Sequence, residues 1–341
     1  MTLLGVVILL IAAIAALVSV WGNGSLITPQ NPPGGQTTST SAPPAPPYAV
    51  GTTSMNIIEP AASSGLAPRP LPTEVRYPAI GTPGLPDQNG AIPERAAGPY
   101  PLVVFSGGYD ISPESYSGLM DAWAAAGYVV ADPAYPFTTP TSPGGLNRQD
   151  LVNHPTDLTY VITSMLQAGS AAGSSLSGLI DPGEIALIGH SDGGDTSLAL
   201  ASNTCCHDAR VKAVVLLSGA ELAWFNGTYY STLPVPMLAV QGTADDINPP
   251  PCSVQLYDQA PQPKYYLSMI GQSHKGPYLY AGQPQNIVAQ VSIDFLNAYL
   301  KHSTSGTAAM IADGAVPGVA TITGAQSVGP PTGSCPDAPP G

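Results

Sequence analysis

Three residues spread along the chain could together break an acyl bond. They are a serine in Gly189-His190-Ser191-Asp192-Gly193, an aspartate in Gly242-Thr243-Ala244-Asp245, and a histidine in Gln272-Ser273-His274. A serine hydroxyl is a weak nucleophile at neutral pH. Acyl chemistry therefore needs a histidine to take its proton and a carboxylate to hold that histidine in the right tautomer. The Gly-x-Ser-x-Gly pattern alone carries little weight, because a chain with 37 glycines in 341 residues produces it by chance. Its meaning depends on the elements that surround it.

A nucleophile elbow requires a strand, a turn tight enough to demand small flanking residues, and a helix directly afterwards. The run EIALIG (184–189) reads as the strand, and DTSLALAS continues as a helix. Gly189 and Gly193 have no Cβ to clash in the turn, and Gly194 lets the helix pack close to the sheet. Ser191 then stands at a helix N-terminus, where the dipole and free N–H groups favour developing negative charge. Further strands are expected at 101–106, 128–132, 211–218, 236–242 and 264–270, as unbroken apolar runs suited to burial on both faces of a sheet. Helices are expected at 113–126, 155–168, 192–203, 252–259 and 286–302; the second opens with Pro155 and aligns Leu158, Val161, Ile162 and Met165 on one face. This alternation predicts an α/β domain with a mostly parallel sheet flanked by helices on both faces, and short strands near 54–58 and 73–79 as an antiparallel edge.

Within that frame Asp245 lies on the loop after strand 236–242 and His274 on the loop after strand 264–270, the chain order Ser, Asp, His. Asp246 is the rival acid, with a turn-capping role as its alternative. His190 lies inside the elbow, where packing is expected, and His154, His207 and His302 follow no strand. An oxyanion hole needs two backbone N–H groups. Asp192 supplies one, its carboxylate pointing away toward the helix dipole; Tyr109, after Gly107-Gly108, supplies the other, and its ring walls the acyl pocket.

The stretches PLVVFSGGYD, AAAGYVVADPAYP, NRQDLVNHPTDLTYVI, IDPGEIALIGHSDGG, CCHDARVKAVVLLSG, VPMLAVQGTADDINP and PKYYLSMIGQSHKG resemble the serine-nucleophile branch of the α/β-hydrolase superfamily. That branch groups platelet-activating-factor acetylhydrolase-like, dienelactone-hydrolase-like and bacterial cutinase or polyester-hydrolase enzymes, and the likeness is greatest to exported actinobacterial lipases. The resemblance spans about residues 70–302 and implies Ser191 as nucleophile, Asp245 as acid, His274 as base, and Tyr109 and Asp192 as oxyanion donors. It departs in two places: Gly107-Gly108 stands where the branch usually has His-Gly, and Lys275 follows the histidine where a smaller residue is common. Dienelactone hydrolases proper use cysteine, so Ser191 disfavours lactone chemistry.

The stretch GAELAWFNGTYYSTLPV between strands 211–218 and 236–242 is too short for a large lid domain, so an open site for short- to medium-chain esters is expected. Trp224, Phe225, Tyr229 and Tyr230 line the substrate side or form a hydrophobic cluster under the loop; both readings stand. No cofactor or metal is expected, since Cys205-Cys206-His207 has no second ligand pair. The competing activities are peptide or amide hydrolysis and a non-catalytic anchored scaffold.

A net charge of −13 with only nine Lys and Arg excludes a nucleic-acid partner; the partner is an ester substrate, and a monomer is the default. Residues 3–21 form an uncharged apolar run long enough for a bilayer. They predict a signal anchor, or a signal peptide, within residues 1–22, membrane contact through this segment only, and an exported chain. Residues 23–50 read as a Pro/Ser/Thr-rich linker, 51–303 as the catalytic domain and 304–341 as a loose low-complexity tail. Four cysteines in an exported chain predict disulfides. Cys205 and Cys206 end the nucleophile helix at the face opposite the site, out of reach of Cys252. Cys335 is therefore expected on Cys205 or Cys206, with a vicinal Cys205–Cys206 bond as the alternative.

Overall fold

A computed structural model describes residues 46–61, 65–329 and 333–336. The apolar run at residues 3–21 and most of the expected linker lie outside the described residues; among those described, no helix is long and apolar enough to cross a membrane. The folded part begins earlier than residue 51, because Tyr48 and Val50 are already buried and β1 (Ala49–Glu59) starts between them.

β1 pairs antiparallel with β2 (Arg69–Ala79), and the short β3 (Gln88–Asn89) adds to its far side. Then come β4 (Tyr100–Ser106), β5 (Val129–Pro133), β6 (Ile180–His190), β7 (Val211–Leu217), β8 (Met237–Gly242), β9 (Lys264–Met269) and β10 (Ala320–Thr323), in the sheet order β10-β9-β8-β7-β6-β4-β5-β2-β1-β3. From β5 through β9 all neighbours are parallel; β2 and β10 join the two ends antiparallel. Parallel neighbours require crossovers, and helices fill them. α1 (Ser117–Ala125), entered through a 3-10 turn at Pro113–Tyr116, lies on one face with α6 (Gln283–Tyr299) and α7 (Gly306–Asp313). On the other face lie α2 (His154–Ser170), α3 (Asp192–Ser202) and α4 (Pro250–Gln259); a single turn, α5 (Gly276–Leu279), follows the His274 loop.

The period-two alternation of β4 shows why its run is unbroken: Leu102 and Val104 enter the core under α2 and α3, Val103 and Phe105 the core under α1 and α6. The molecule has the α/β-hydrolase arrangement, with the carboxyl ends of β4, β6, β8 and β9 at one edge. Residues 218–236, between β7 and β8, contain no helix.

Among the described residues, the C-terminal stretch is not a loose tail. Gly306 lets α7 touch the α6 backbone, since a methyl there would stand 2.7 Å from the nitrogen of Ala298, and Met310 is fully buried. After β10 the chain runs back along α4. The Tyr257 hydroxyl donates to the Ala325 carbonyl, and Asp258 accepts from the Ser327 hydroxyl (2.7 Å) and the Val328 N–H. The chain thereby reaches the start of α4, and Cys335 bonds to Cys252 rather than to Cys205 or Cys206. Those two form the vicinal bond.

An ion cluster pins β2 to α2. Arg69 donates through Nη1 and Nη2 to Asp150 (3.0 and 2.6 Å) and through Nε and Nη2 to Asp157 (2.6 and 2.7 Å), all three buried. Burial and the adjacent Asp157 push the Glu59 carboxyl up to about 7. Ligand atoms of Asp150, His154 and Asp157 come within 4.8 Å of one another. The guanidinium already engages both carboxylates, so this is an ion-pair cluster in which a metal would meet a fixed positive charge.

Candidate active site

Ser191 is held where the sequence places it, between β6 and α3, with φ 55° and ψ −128°. That strained backbone is what a nucleophile elbow imposes, and the turn is so tight that Gly189 and Gly193 have no room for a side chain. A methyl on Gly193 would lie 1.9 Å from the Ser106 carbonyl oxygen, and one on Gly189 2.1 Å from that of Gly193.

His274 arrives on the loop after β9, with its Nε2 2.8 Å from Ser191 Oγ. Its Nδ1 lies 2.9 Å from Asp245 Oδ2 and 3.1 Å from Oδ1. Asp245 is set by its own turn: Oδ1 accepts the N–H groups of Ile247 and Asn248 (3.0 Å each), and Oδ2 accepts Gln241 Nε2 at 3.2 Å. Burial would raise its carboxyl, but the bond to His274 and its charge, with the Ser218 hydroxyl and the Ile247 N–H, outweigh it and hold it below the usual carboxylate range. It is therefore ionised at neutral pH and accepts from Nδ1–H, which leaves Nε2 as the free base facing Ser191. Asp246, next in sequence, is exposed. Ser191, Asp245 and His274 are thus brought into one hydrogen-bonded line.

His190 is more than packing. Its Nε2 donates to the His274 carbonyl (2.9 Å), so Nδ1 accepts, and the hydroxyl of Tyr116 donates to it at 2.8 Å. Tyr116 in turn accepts the Gly108 N–H at 3.0 Å. Burial, and then the neighbouring His274, push His190 down to about 3, so the ring is neutral as this relay needs. The relay ties the loop at residues 107–110, the Ser191 turn and the His274 loop together. It also uses up the Gly108 N–H, leaving the N–H of Tyr109 as the next donor along the loop. The loop is steadied further by Asp110, whose N–H donates to the Thr138 carbonyl at 2.8 Å. The second expected donor, Asp192, is the first residue of α3, where an N–H has no intrahelical acceptor.

The Asp192 side chain stays in the first turn of α3, as expected, but it has a partner that the sequence reading did not name: Arg148 grips it through Nε (2.9 Å) and Nη2 (2.7 Å). The Arg148 guanidinium also lies 5.1 Å from the ring centroid of Trp224, which is 38% exposed. Phe225 is buried beneath the loop with Leu151, Ala199 and Leu222, so it is not a substrate wall. Of the other histidines, His154 stacks on Tyr135 at 3.9 Å, and burial lowers it to about 3; exposed His302 faces Glu184. Beyond β5, an apolar cavity of about 690 Å³ is framed by Pro70, Pro72, Pro136, Phe137 and Pro143; none of Ser191, Asp245 and His274 lines it.

Sequence reading did not single out Arg148 or Tyr116. For Arg148 the only signal was scarcity: it is one of nine basic residues in the chain, and the elbow carries an extra aspartate in need of a partner. Tyr116 had none, because an aromatic entering a helix reads as core.

Comparisons with known proteins bear on the fold and on the kind of reaction. The Chlorophyllase family model matches residues 90–219, which include the loop at residues 107–110 and Ser191 but stop before Asp245 and His274. Over 211 residues, 61% of this chain, the sequence is 26% identical to Cutinase 1 of Thermobifida cellulosilytica and 26% identical to the cutinase of Thermobifida fusca (strain YX). Those matches cover 71% and 62% of the respective relatives. Cutinase 2 of Thermobifida cellulosilytica is 28% identical over the same length. The structure of a ferulic acid esterase from Streptomyces cinnamoneus superposes with a TM-score of 0.59 and 20% identity, covering 76% of this chain and 92% of that one, which supports the fold.

Proposed function

We propose that this α/β-hydrolase, a carboxylic-ester hydrolase of the cutinase-like kind, cleaves short- to medium-chain esters through an acyl-enzyme on Ser191. The observation that carries the reading is the unbroken line Ser191 Oγ, His274 Nε2, His274 Nδ1, Asp245, at 2.8 and 2.9 Å. His274 takes the Ser191 proton as Oγ adds to the ester carbonyl. The N–H groups of Tyr109 and Asp192 receive the negative charge on the carbonyl oxygen. The imidazolium, held by Asp245, returns its proton to the leaving alcohol as the C–O bond breaks. Water then repeats the sequence and frees the acid.

The chain-length preference is supported by the absence of any helix in residues 218–236, so this segment supplies no helical cap to enclose a long acyl chain. Hydrolysis of p-nitrophenyl esters from acetate to palmitate by the full-length chain tests it. The expected profile peaks at short or medium chains and vanishes in Ser191→Ala. A rate that climbs to palmitate, or one the variant retains, contradicts the reading. Export belongs to the same proposal and is supported by the apolar run at residues 3–21. N-terminal sequencing of envelope and secreted fractions tests it, and protein confined to the cytoplasm would rule it out.

A further inference from the structure

We propose that Arg148 is a positioning residue for the oxyanion hole. It cancels the charge of Asp192 and fixes the residue whose N–H receives the oxyanion. The inference rests on the ester-hydrolase reading above and concerns the same site.

Asp192 combines two demands that oppose each other. Its N–H, one residue past the nucleophile, must stabilise negative charge on the substrate, yet the same residue carries a carboxylate. That side chain is only 5% exposed, so water does little to screen it. A lone carboxylate there would raise the energy of every anionic intermediate formed beside it. Arg148 answers this with a two-point fork, Nε to Oδ2 and Nη2 to Oδ1, the geometry in which a guanidinium matches a carboxylate in direction as well as charge.

The fork is itself held from three sides. Arg148 opens a 3-10 turn (Arg148–Asn153) capped by the Asn147 side chain, which accepts the Gln149 N–H. Two residues on, Asp150 is fixed by the buried Arg69. The guanidinium lies over Trp224. On the other side, the Asp192 carbonyl accepts the Thr196 hydroxyl at 3.0 Å. Both ends of Asp192 are therefore constrained while its N–H is kept for the substrate. A tether needs no charge at this position; the charge is what an oxyanion neighbour needs.

The experiment measures kcat and KM for p-nitrophenyl butyrate with full-length wild type, Arg148→Met, Arg148→Lys and the double variant Arg148→Met/Asp192→Asn, with urea midpoints for each. Arg148→Met is expected to lose ~10- to 100-fold in kcat with KM changed by less than about 3-fold, because only the charged intermediate feels the bare carboxylate. The double variant regains most of that loss although the fork is still broken, and Arg148→Lys falls between. Full kcat in Arg148→Met, or a double variant as slow as the single one, overturns the assignment and leaves a plain structural tether. Should Arg148→Met not fold, Arg148→Gln and Arg148→Gln/Asp192→Asn take its place: a slow single variant rescued by the double supports charge cancellation, and equal rates in the two refute it. Wild type inactive on every ester removes the ester-hydrolase reading and this assignment together; active wild type with an indifferent Arg148→Met removes this assignment only.

Discussion

Replacing Ser191 by alanine is expected to lower kcat for p-nitrophenyl butyrate by ~10⁶, with the urea midpoint unchanged or slightly raised. The activity loss follows from geometry: His274 Nε2 has Ser191 Oγ as its hydrogen-bonded neighbour at 2.8 Å, and a methyl group offers nothing to deprotonate. The stability expectation follows from the strain. Ser191 sits at φ 55°, a cost that belongs to the backbone and that alanine inherits, while the small hydroxyl is lost without opening a cavity. The losses should also fail to add. Ser191→Ala/His274→Ala is expected to be no slower than either single variant, because the two residues perform one step. Multiplying losses in single-turnover assays would mean that they act independently, against the line seen here.

The second large effect is on folding. Arg69→Met is expected to cost ~3–5 kcal/mol, because removing one member of a buried ion cluster leaves the others as uncompensated charges. Asp150 and Asp157 are both buried, and Arg69 engages each through two hydrogen bonds. Arg69→Lys should recover little, since a compact ammonium with three donors cannot reproduce the two-point contact that the planar guanidinium makes with each carboxylate. Urea unfolding followed by tryptophan fluorescence reads this directly, and a change below about 1 kcal/mol would show the cluster to be electrostatically idle. The effect should reach the site as well, because Asp150 lies in the same short turn as Arg148.

Much of this architecture was legible because its signals are local. Unbroken apolar runs marked the central strands, and their helices followed within a few residues of the observed bounds. The elbow was legible because two of its glycines are required by contacts that any side chain would violate. Asp245 and His274 were expected from strand ends together with the chain order Ser, Asp, His, with Asp246 still open, and the structure brings both side chains into line with Ser191 at 2.8 and 2.9 Å. What escaped were long-range pairings. Residues 304–341 read as low complexity because they are small, yet smallness is what lets α7 press onto the α6 backbone at Gly306. The path of the chain after β10, back along α4 to Cys252, is a tertiary result with no periodicity to announce it. The Arg148–Asp192 fork joins residues 44 apart in sequence, and Phe225 and Trp224, adjacent in the chain, part company because only one faces the core.

The account turns on Ser191 being the atom that bonds to substrate. The direct measurement is intact-mass and peptide mapping of the full-length chain after diethyl p-nitrophenyl phosphate. In that reaction Ser191 Oγ forms the P–O bond, p-nitrophenolate leaves and His274 takes the proton. The account predicts one diethylphosphoryl group per chain, located on Ser191, one equivalent of p-nitrophenolate, and esterase activity lost in step. No adduct, or an adduct on another residue while activity disappears, would contradict it.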